Sequence, residues 1–287
     1  MSLEDFATFL CFKEGRTLQS DIESFYEIYK PGLEPVSRQF ISSQRKFIKP
    51  QLFKDINQTY LKKMDYQNNI RLIRFMGFFL LSGDGSDFEL PDFPNIREEF
   101  NIVSTPKYTK PCMGKFSAIM DDLNGILLTG ILGNYKEGEL PLMQQNLIDV
   151  ENIINPQKSI FSFDRAYNSI ELYVRIIEMN SYFVVRLKKS SYKKERSKIT
   201  SPDSPITLEL TKDRLDRFKD PELKEKYSQK WGLDLRIVTI KLPTGEKEYL
   251  LTNIPKEMMK LGHIKFIYKK RWGIEYQFQH IKKQVLH

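Results

Sequence analysis

The sequence predicts an α/β protein built on a mixed sheet, with a helical region before it and a β-rich insertion before the last helix. Three observations predict this architecture. Short apolar runs of strand character recur between residues 75 and 187, helical patterns separate the later runs, and further strand-like runs follow a polar basic segment. With 287 residues and 40% apolar side chains, the chain has enough material for a large core.

The first 66 residues are predicted to be a separate helical region. They contain no alternating apolar runs of the kind that indicates a strand, and Pro31 and Pro35 interrupt the helical pattern. We therefore place the first boundary of the chain after residue 66.

The next part of the chain, residues 67–188, is predicted to form the core sheet. Its strand-like runs are Phe75–Leu81, Phe116–Met120, Gly125–Leu132, Ile160–Phe163 and Tyr182–Leu187. Leu123-Asn124-Gly125 supplies a hairpin turn, and helical patterns over Gly138–Asn152 and Tyr167–Met179 separate the last three runs. Three strands without a long helix between them, followed by alternating helices and strands, match the ribonuclease-H-like fold.

The remainder of the chain is predicted to be an insertion followed by a return to the core. Strand-like runs at Ile206–Leu210, Asp234–Leu242 and Glu246–Thr252 indicate a β-rich insertion over residues 189–256. A long helical pattern from Gly262 to Val285 then places the C-terminal helix of the core in residues 257–287.

Basic residues are concentrated in three stretches, and this distribution indicates a polyanionic partner. The formal net charge is +8. Residues 36–63 hold seven bases against one acid, residues 186–198 hold seven against one, and residues 256–283 hold eight against two. A base that neutralises a phosphate releases condensed counterions, which favours nucleic acid. A solvated surface explains one such cluster equally well, but three make nucleic acid the leading candidate, with residues 1–66 as one contact region.

The sequence indicates an intracellular protein. The longest apolar run, Phe75–Leu81, is far shorter than the roughly 20 residues that cross a bilayer, and the first thirty residues mix acids and bases. We therefore expect neither a membrane segment nor a secretory one. Cys11 and Cys112 are the two cysteines, and neither lies in a CxxC or Cys/His cluster, so the pattern favours a reducing compartment over a disulfide framework or a zinc site.

The last helical segment carries the most informative pattern. Tyr268, Arg271, Glu275 and Lys282 are spaced by three, four and seven residues. At about 100° per residue, these offsets keep all four side chains on one side of a helix. The helix thus presents a carboxylate flanked by cations and a phenol. From the spacing alone, an ordinary surface set of ion pairs is the better interpretation.

The segment YKKRWGIEYQFQHIKK resembles the signature of the DDE transposases of bacterial insertion sequences, specifically the insertion sequence 4 family. Those enzymes carry Tyr, Arg, Glu and Lys at this spacing, and all four positions match. The resemblance spans nearly the whole chain. It implies that Glu275 is the third catalytic acid and that Tyr268, Arg271 and Lys282 contact DNA phosphates near the cut end.

Two upstream segments are similar to the family's other acidic motifs. SIFSFDRAYNSIELYVRIIEMNSYFVVRLK resembles the second-acid segment, which implies that Asp164 is catalytic and that Arg165 binds DNA. FFLLSGDGSDFELPD resembles the first-acid segment, which implies a catalytic Asp84. Asp-Gly-Ser is also a common surface turn, so Asp122, at the end of the second strand, is the alternative first acid.

The resemblance implies Mg²⁺-dependent cutting and joining of DNA. Asp84, Asp164 and Glu275 would hold two Mg²⁺ ions, with Mn²⁺ as a possible substitute, because hard cations prefer carboxylate oxygens. Water would free a 3′-hydroxyl at the transposon end, and that hydroxyl would attack a second phosphodiester. Trp231 is a candidate platform for a base displaced from the duplex end, although a tryptophan before a strand is more often part of a core.

The resemblance also implies partners and a location. The expected partner is double-stranded DNA, both the terminal inverted repeats of the transposon and the target DNA. The expected assembly is a homodimer in a synaptic complex, without a membrane, in the bacterial cytoplasm and at the nucleoid when bound to DNA.

Two alternatives remain open. The chain ends five residues after Lys282, whereas family members usually continue, so a truncated, inactive remnant that only binds DNA is one alternative. A simple metal-dependent nuclease without strand transfer is the other, although the Tyr, Arg and Lys around the third acid argue against it. A joined DNA product, rather than a nick, separates the last alternative from a transposase.

Overall fold

The structure, a computed structural model, describes residues 1–13, 16–100, 102–105 and 108–285. The chain forms two compact units, one comprising Met1–Ile56 with Gln279–His287 and the other Asn57–Phe278. Leu286 and His287, at the end of the predicted C-terminal segment, lie outside the described residues.

The smaller unit is built on helices, as predicted for the N-terminal region. The first helices of the chain are α1 (Leu3–Phe12), α2 (Leu18–Tyr29), α3 (Arg38–Arg45) and α4 (Gln51–Lys63). Ser2, Thr17 and Ser37 begin the first three by accepting a hydrogen bond from a backbone N–H of the first turn. The apolar faces meet in a small core of Phe6, Phe9, Ile22, Phe25, Tyr26 and Ile41. The compact unit ends at Ile56, ten positions before the predicted boundary.

The larger unit is a mixed sheet with helices on both faces. Its strands are β1 (Phe79–Glu89), β2 (Ile102–Thr105), β3 (Tyr108–Asp121), β4 (Ile126–Asn134), β5 (Ser159–Phe163), β6 (Tyr182–Arg186), β7 (Asp203–Glu209), β8 (Gly232–Lys241) and β9 (Lys247–Thr252). The later helices of the chain are α5 (Pro94–Phe100), α6 (Glu139–Glu151), α7 (Ile170–Glu178), α8 (Lys193–Arg196), α9 (Lys212–Leu215), α10 (Pro221–Ser228), α11 (Leu261–Lys270) and α12 (Trp272–Val285).

The order of the central strands is that of the ribonuclease-H-like fold, which confirms the predicted fold class. Strands β1, β3 and β4 form an antiparallel meander, while β5 pairs with β1 and β6 pairs with β5, both in parallel. Because β5 and β6 run parallel to β1, the residues that follow β5 and β6 lie level with the part of β1 just after Gly83. This edge of the sheet is where side chains of distant segments converge.

Alternating residues of the central strands fill two cores. Leu80 of β1 and Ile160 of β5 face α11, where Ile264 and Ile267 pack against them. The intervening residues face α6 and α7 and form the larger core; they include Phe79, Leu81, Phe161 and Phe163. Because these strands are buried on both faces, their sequences are continuous apolar runs, and the strands could therefore be predicted from the sequence.

The structure corrects two predicted elements. Strand β1 begins at Phe79 and continues to Glu89, so it runs past the predicted end at Leu81 and through Asp84-Gly85-Ser86. The predicted final helix is divided at Arg271 into α11 and α12. The strands of the predicted β-rich insertion belong to the same sheet, because β9 pairs with β6, and β8 and β7 extend it.

Among the described residues, the structure contains no helix whose length and apolar character would let it cross a membrane.

Candidate active site

Two of the predicted acids lie side by side at the carboxyl edge of the parallel strands. Ser82 of β1 pairs with Ser162 of β5. Side chains alternate along a strand, so Asp84 and Asp164, two residues further on, face the same side of the sheet as these serines. The parallel register, rather than any proximity in the chain, brings the two carboxylates together.

The backbone holds each of these two acids in a defined way. Asp84 lies within β1 and pairs with Ala118 of β3, so the alternative interpretation of Asp-Gly-Ser as a surface turn is wrong. Asp164 follows the last residue of β5 and begins a 3₁₀ turn over Arg165–Tyr167. One carboxylate oxygen of Asp164, Oδ1, is buried and has no hydrogen-bond partner among the described residues.

Arg271 joins the first acid to the third. Its guanidinium is buried, with 2% of the side chain exposed, and Nη2 donates to Oε1 of Glu275 at 2.6 Å. Nη1 lies 3.4 Å from Oδ2 of Asp84. The predicted spacing of Arg271 and Glu275 on one helical face therefore produces a direct ion pair, which also reaches the acid on β1.

The pKa of Asp84 is affected by both of the other acids. Burial raises the pKa of Asp84 to about 6, its backbone hydrogen bond from Gly85 and the charge of Arg271 lower it, and the charges of Glu275 and Asp164 raise it. Repulsion among three carboxylates is thus partly offset by one buried cation.

Tyr268 lies at the same site, one turn before Arg271. Its side chain is buried, and its ring centroid is 5.5 Å from the Arg271 guanidinium. Burial raises the pKa of Tyr268 to about 12, Arg271 lowers it, and the charge of Asp164 raises it. The phenol, the cation and the three acids therefore form one electrostatic group.

Asp122, the alternative first acid, lies on the same face but in a different environment. It follows β3, and its Oδ1 accepts a hydrogen bond from the Ser82 hydroxyl, while its Oδ2 is buried without a partner among the described residues. Burial raises the pKa of Asp122 to about 8, against the lowering effect of Ser82. A carboxyl that keeps its proton near neutral pH is a poor ligand for a hard cation.

The three remaining residues that were predicted to contact DNA lie at different distances from the acids. Arg165 is exposed directly after Asp164, and Lys282 lies two turns after Glu275 in α12. Trp231 is 73% exposed, so the core interpretation of this side chain is wrong. The strand pairing aligns Phe163 with Ile237, so Trp231 lies roughly 20 Å along the strands from the acidic edge.

Sequence reasoning missed Glu139, the first residue of α6. Its side chain lies beside Gly85 on the opposite face of β1 from the three acids, and its Oε1 is 3.4 Å from Nζ of Lys115. The available signal was its position at the start of a helix after β4, a strand that runs in the same direction as β1.

The acids do not form a preassembled metal cage. Within the described part of the chain, no three Asp, Glu, His or Cys side chains are grouped closely enough to hold a metal ion as they stand. The guanidinium of Arg271 lies between two of the three acids and accounts for this arrangement.

Comparisons with known proteins give the family of the chain. Two solved transposase assemblies have limited similarity to it. A piggyBac transposase synaptic complex with hairpin DNA aligns with a TM-score of 0.41 and 13% identity, over 70% of this chain and 39% of that one. A pre-cleavage Mos1 transpososome aligns with a TM-score of 0.26 and 11% identity, over 67% and 60%. This chain thus spans less than two thirds of either.

No curated protein matches the chain. A family model described as "Transposase DDE domain" matches residues 83–287, a range that contains Asp84, Asp164 and Glu275. Because that match covers well over half of the sequence, the chain belongs to the family of transposase DDE domains.

Proposed function

We propose that this protein is a transposase of the insertion sequence 4 type, which cuts DNA at transposon ends and joins the freed end to a second phosphodiester. The observation that carries the proposal is the convergence of Asp84, Asp164 and Glu275, from three distant segments, at one edge of a ribonuclease-H-like sheet. Arg271 and Tyr268 surround these acids, which supports the Tyr-Arg-Glu-Lys signature as a functional unit.

The three acids fit a pair of Mg²⁺ ions in their chemistry, with Mn²⁺ as a substitute. All donors are carboxylate oxygens, which hard cations prefer. Oδ1 of Asp164 is buried and has no hydrogen-bond partner among the described residues, as expected of an oxygen that binds a metal ion. When bound, a metal pair stabilises the charge that develops on the attacking and leaving oxygens of phosphodiester exchange. Asp84 is a better candidate for the first ligand than Asp122, since Asp84 lies beside Arg271 whereas Asp122 already accepts a hydrogen bond from Ser82.

Arg271 is proposed to have two partners in turn. Before DNA arrives, it neutralises Asp84 and Glu275. A phosphate is an alternative partner for a guanidinium, since it offers the same bidentate geometry as a carboxylate. Release of Arg271 to a DNA phosphate would open the space between the acids for metal. Tyr268, at the end of α11, and Lys282, in α12, are proposed to contact DNA phosphates.

The proposed partner is double-stranded DNA, bound as transposon ends and as target, with a homodimer holding two ends. The net charge of +8 and the three basic stretches support a polyanionic partner. Arg165, exposed beside Asp164, is proposed to contact the backbone close to the cut phosphodiester.

The test is cleavage and joining of labelled duplex DNA that carries the terminal repeats flanking the gene. The parent protein is expected to give nicked and then joined products that require Mg²⁺. Asp84→Asn is expected to abolish both products while largely retaining DNA affinity. Asp122→Asn is expected to retain them.

Three results would contradict parts of this proposal. Binding without any product would indicate the inactive remnant, and nicks without joined product would indicate a simple nuclease. Loss of cleavage in Asp122→Asn, with activity retained in Asp84→Asn, would move the first acid to Asp122.

A further inference from the structure

Asp84 lies between two glycines whose missing side chains leave room for aromatic residues. A Cβ atom on Gly83 would overlap the ring of Phe163. A Cβ atom on Gly85 would lie 3.1 Å from the hydroxyl oxygen of Tyr167. Both rings therefore approach the bare backbone of β1 on the face opposite the Asp84 carboxylate.

Both aromatic residues belong to the segment that carries the second acid. Phe163 directly precedes Asp164, and Tyr167 ends the 3₁₀ turn that Asp164 begins. The backbone N–H of Tyr167 donates to the carbonyl of Asp164 at 3.0 Å. The two ring centroids are 5.5 Å apart, and both side chains are fully buried. The segment on each side of Asp164 is thus anchored on the strand of the other acid.

The side chain of Glu139 lies beside Gly85, as the Tyr167 hydroxyl does. Cγ of Glu139 lies 3.3 Å from the position that a Cβ atom on Gly85 would occupy. Lys115 holds this side of the strand, with Nζ 3.4 Å from Glu139 and 2.8 Å from Asp87. Burial raises the pKa of Tyr167 well above its usual range, and the charges of Glu139 and Asp84 raise it further. The hydroxyl is buried beside Gly85 and has no hydrogen-bond partner among the described residues.

We propose that Tyr167 is a positioning residue that sets the separation of Asp84 and Asp164 by holding its hydroxyl against the backbone at Gly85. This inference rests on the proposed function, because the separation of the two acids matters only if they share metal ions. Tyr167 does not touch DNA or metal in this role. It acts through the turn of Asp164 on one side and the strand of Asp84 on the other.

A positioning role makes a different prediction from simple core packing. Groups that orient metal ligands typically change metal affinity by about 10-fold to 100-fold when removed. A hydroxyl that only packs changes folding stability without changing metal affinity. Tyr227 of α10 is the matched control, since it is also fully buried and its hydroxyl donates to Oε1 of Glu178 at 2.8 Å, away from the turn of Asp164.

The experiment compares Tyr167→Phe and Tyr227→Phe in the full chain. Mn²⁺ binding is titrated by electron paramagnetic resonance with pre-cleaved terminal-repeat duplex bound, because the proposed release of Arg271 requires a DNA phosphate, and Mn²⁺ bound by the duplex alone is subtracted. Cleavage kinetics are measured separately. Tyr167→Phe is expected to weaken Mn²⁺ binding by about tenfold and to lower kcat by a similar factor, with KM for DNA unchanged. Tyr227→Phe is expected to leave both quantities unchanged. Equal Mn²⁺ affinities for the two variants would overturn the inference.

A second arm tests the contact without metal. Gly85→Ala places a methyl group against the Tyr167 hydroxyl, so it is expected to lower the thermal unfolding temperature. Adding Tyr167→Phe removes the oxygen that the methyl group meets and is expected to restore part of that loss, a non-additive result. Purely additive losses would contradict the contact.

The proposed function and this inference fail in different ways. If Asp164→Ala bound Mn²⁺ as tightly as the parent, Asp164 would not be a metal ligand, and both the proposed metal site and the positioning role of Tyr167 would be contradicted. If Asp164→Ala lost binding but Tyr167→Phe did not, only the positioning role would be overturned.

Discussion

Arg271 is the residue on which the electrostatic balance of the site depends. It is buried and pairs with Glu275, and it lies 3.4 Å from Asp84. The pair with Glu275 follows from a spacing of four residues on a helix, so the sequence alone predicts it. The approach to Asp84, 187 residues away, depends on the sheet register and is not predictable from spacing.

Removing this guanidinium is expected to expose its competition with metal. Arg271→Gln leaves two carboxylates without their cation, so the metal-free protein is expected to lose on the order of 2 to 3 kcal/mol of unfolding free energy. Saturating Mg²⁺ is then expected to raise the unfolding temperature of the variant more than that of the parent, because metal binds the folded state.

The control for Arg271→Gln is Arg236→Gln. Arg236 is also buried, and it pairs with Asp203 away from the three acids. Its loss is expected to destabilise the fold without changing the response to Mg²⁺. An equal response to Mg²⁺ in Arg271→Gln and the parent would contradict the competition.

Asp122 gives the site a separate dependence on pH. Its pKa is about 8 in the folded protein against an ordinary 3.8, so folding favours the protonated form. Its contribution to stability is therefore fully present below about pH 4 and lost as the pH rises towards about 8. Asp122→Asn keeps the acceptor for Ser82 but cannot ionise.

Asp122→Asn is accordingly expected to unfold at a higher temperature than the parent near pH 8, with the difference shrinking towards pH 4. Thermal unfolding of both proteins across this pH range provides the measurement. A constant difference at every pH would mean that Asp122 titrates alike in the folded and unfolded chains.

At the level of single elements, β1 shows why its prediction was incomplete. The apolar part of β1 was recognisable, but Ser82-Gly83-Asp84-Gly85-Ser86 has the composition of a turn. The strand continues because β3 pairs with it from Leu81 to Glu89. Tertiary pairing thus overrides local preference, as is common for strands.

Gly83 is the position where this strand depends most on a missing side chain. A Cβ atom there would overlap the Phe163 ring and lie 2.9 Å from Sδ of Met143. Gly83→Ala is therefore expected to lower the unfolding free energy by about 1 to 3 kcal/mol, because β5 or α6 must shift. Chemical denaturation measures this loss.

Gly262→Ala is the control, since no atom lies within 4 Å of the added methyl group in α11. It is expected to be neutral or to stabilise by about 0.5 kcal/mol, because alanine reduces the freedom of the unfolded chain. A loss at Gly262 as large as that at Gly83 would show that the effect is not one of close approach.

At the scale of the whole molecule, the sequence predicted the central sheet better than its edges. The apolar runs of β5 and β6 and the hairpin of β3 and β4 were sufficient for the ribonuclease-H-like order. Residues 189–256 were predicted as a β-rich insertion, but the sequence did not predict that their strands extend the same sheet. Pairing between β6 and β9 joins segments about 65 residues apart, which local patterns do not reveal.

The residues of the candidate site that lie on a helix or at the end of a strand could be predicted from the sequence. The residues that reach the site through tertiary packing could not. Glu275 follows from its spacing to Arg271, and Asp164 from its position after an apolar run. Tyr167 and Glu139 approach Gly85 only because helices α6 and α7 cover that face of β1. Their roles required the three-dimensional structure.

The most direct test of the central claim is metal-dependent cleavage of terminal-repeat DNA by the parent protein, Glu275→Gln and Glu178→Gln. Glu178 is the matched acid, because it is also on a helix, is ion-paired, and has 30% of its side chain exposed against 32% for Glu275. The account predicts Mg²⁺-dependent cutting by the parent and by Glu178→Gln and none by Glu275→Gln. Cutting by Glu275→Gln at the rate of the parent would contradict it.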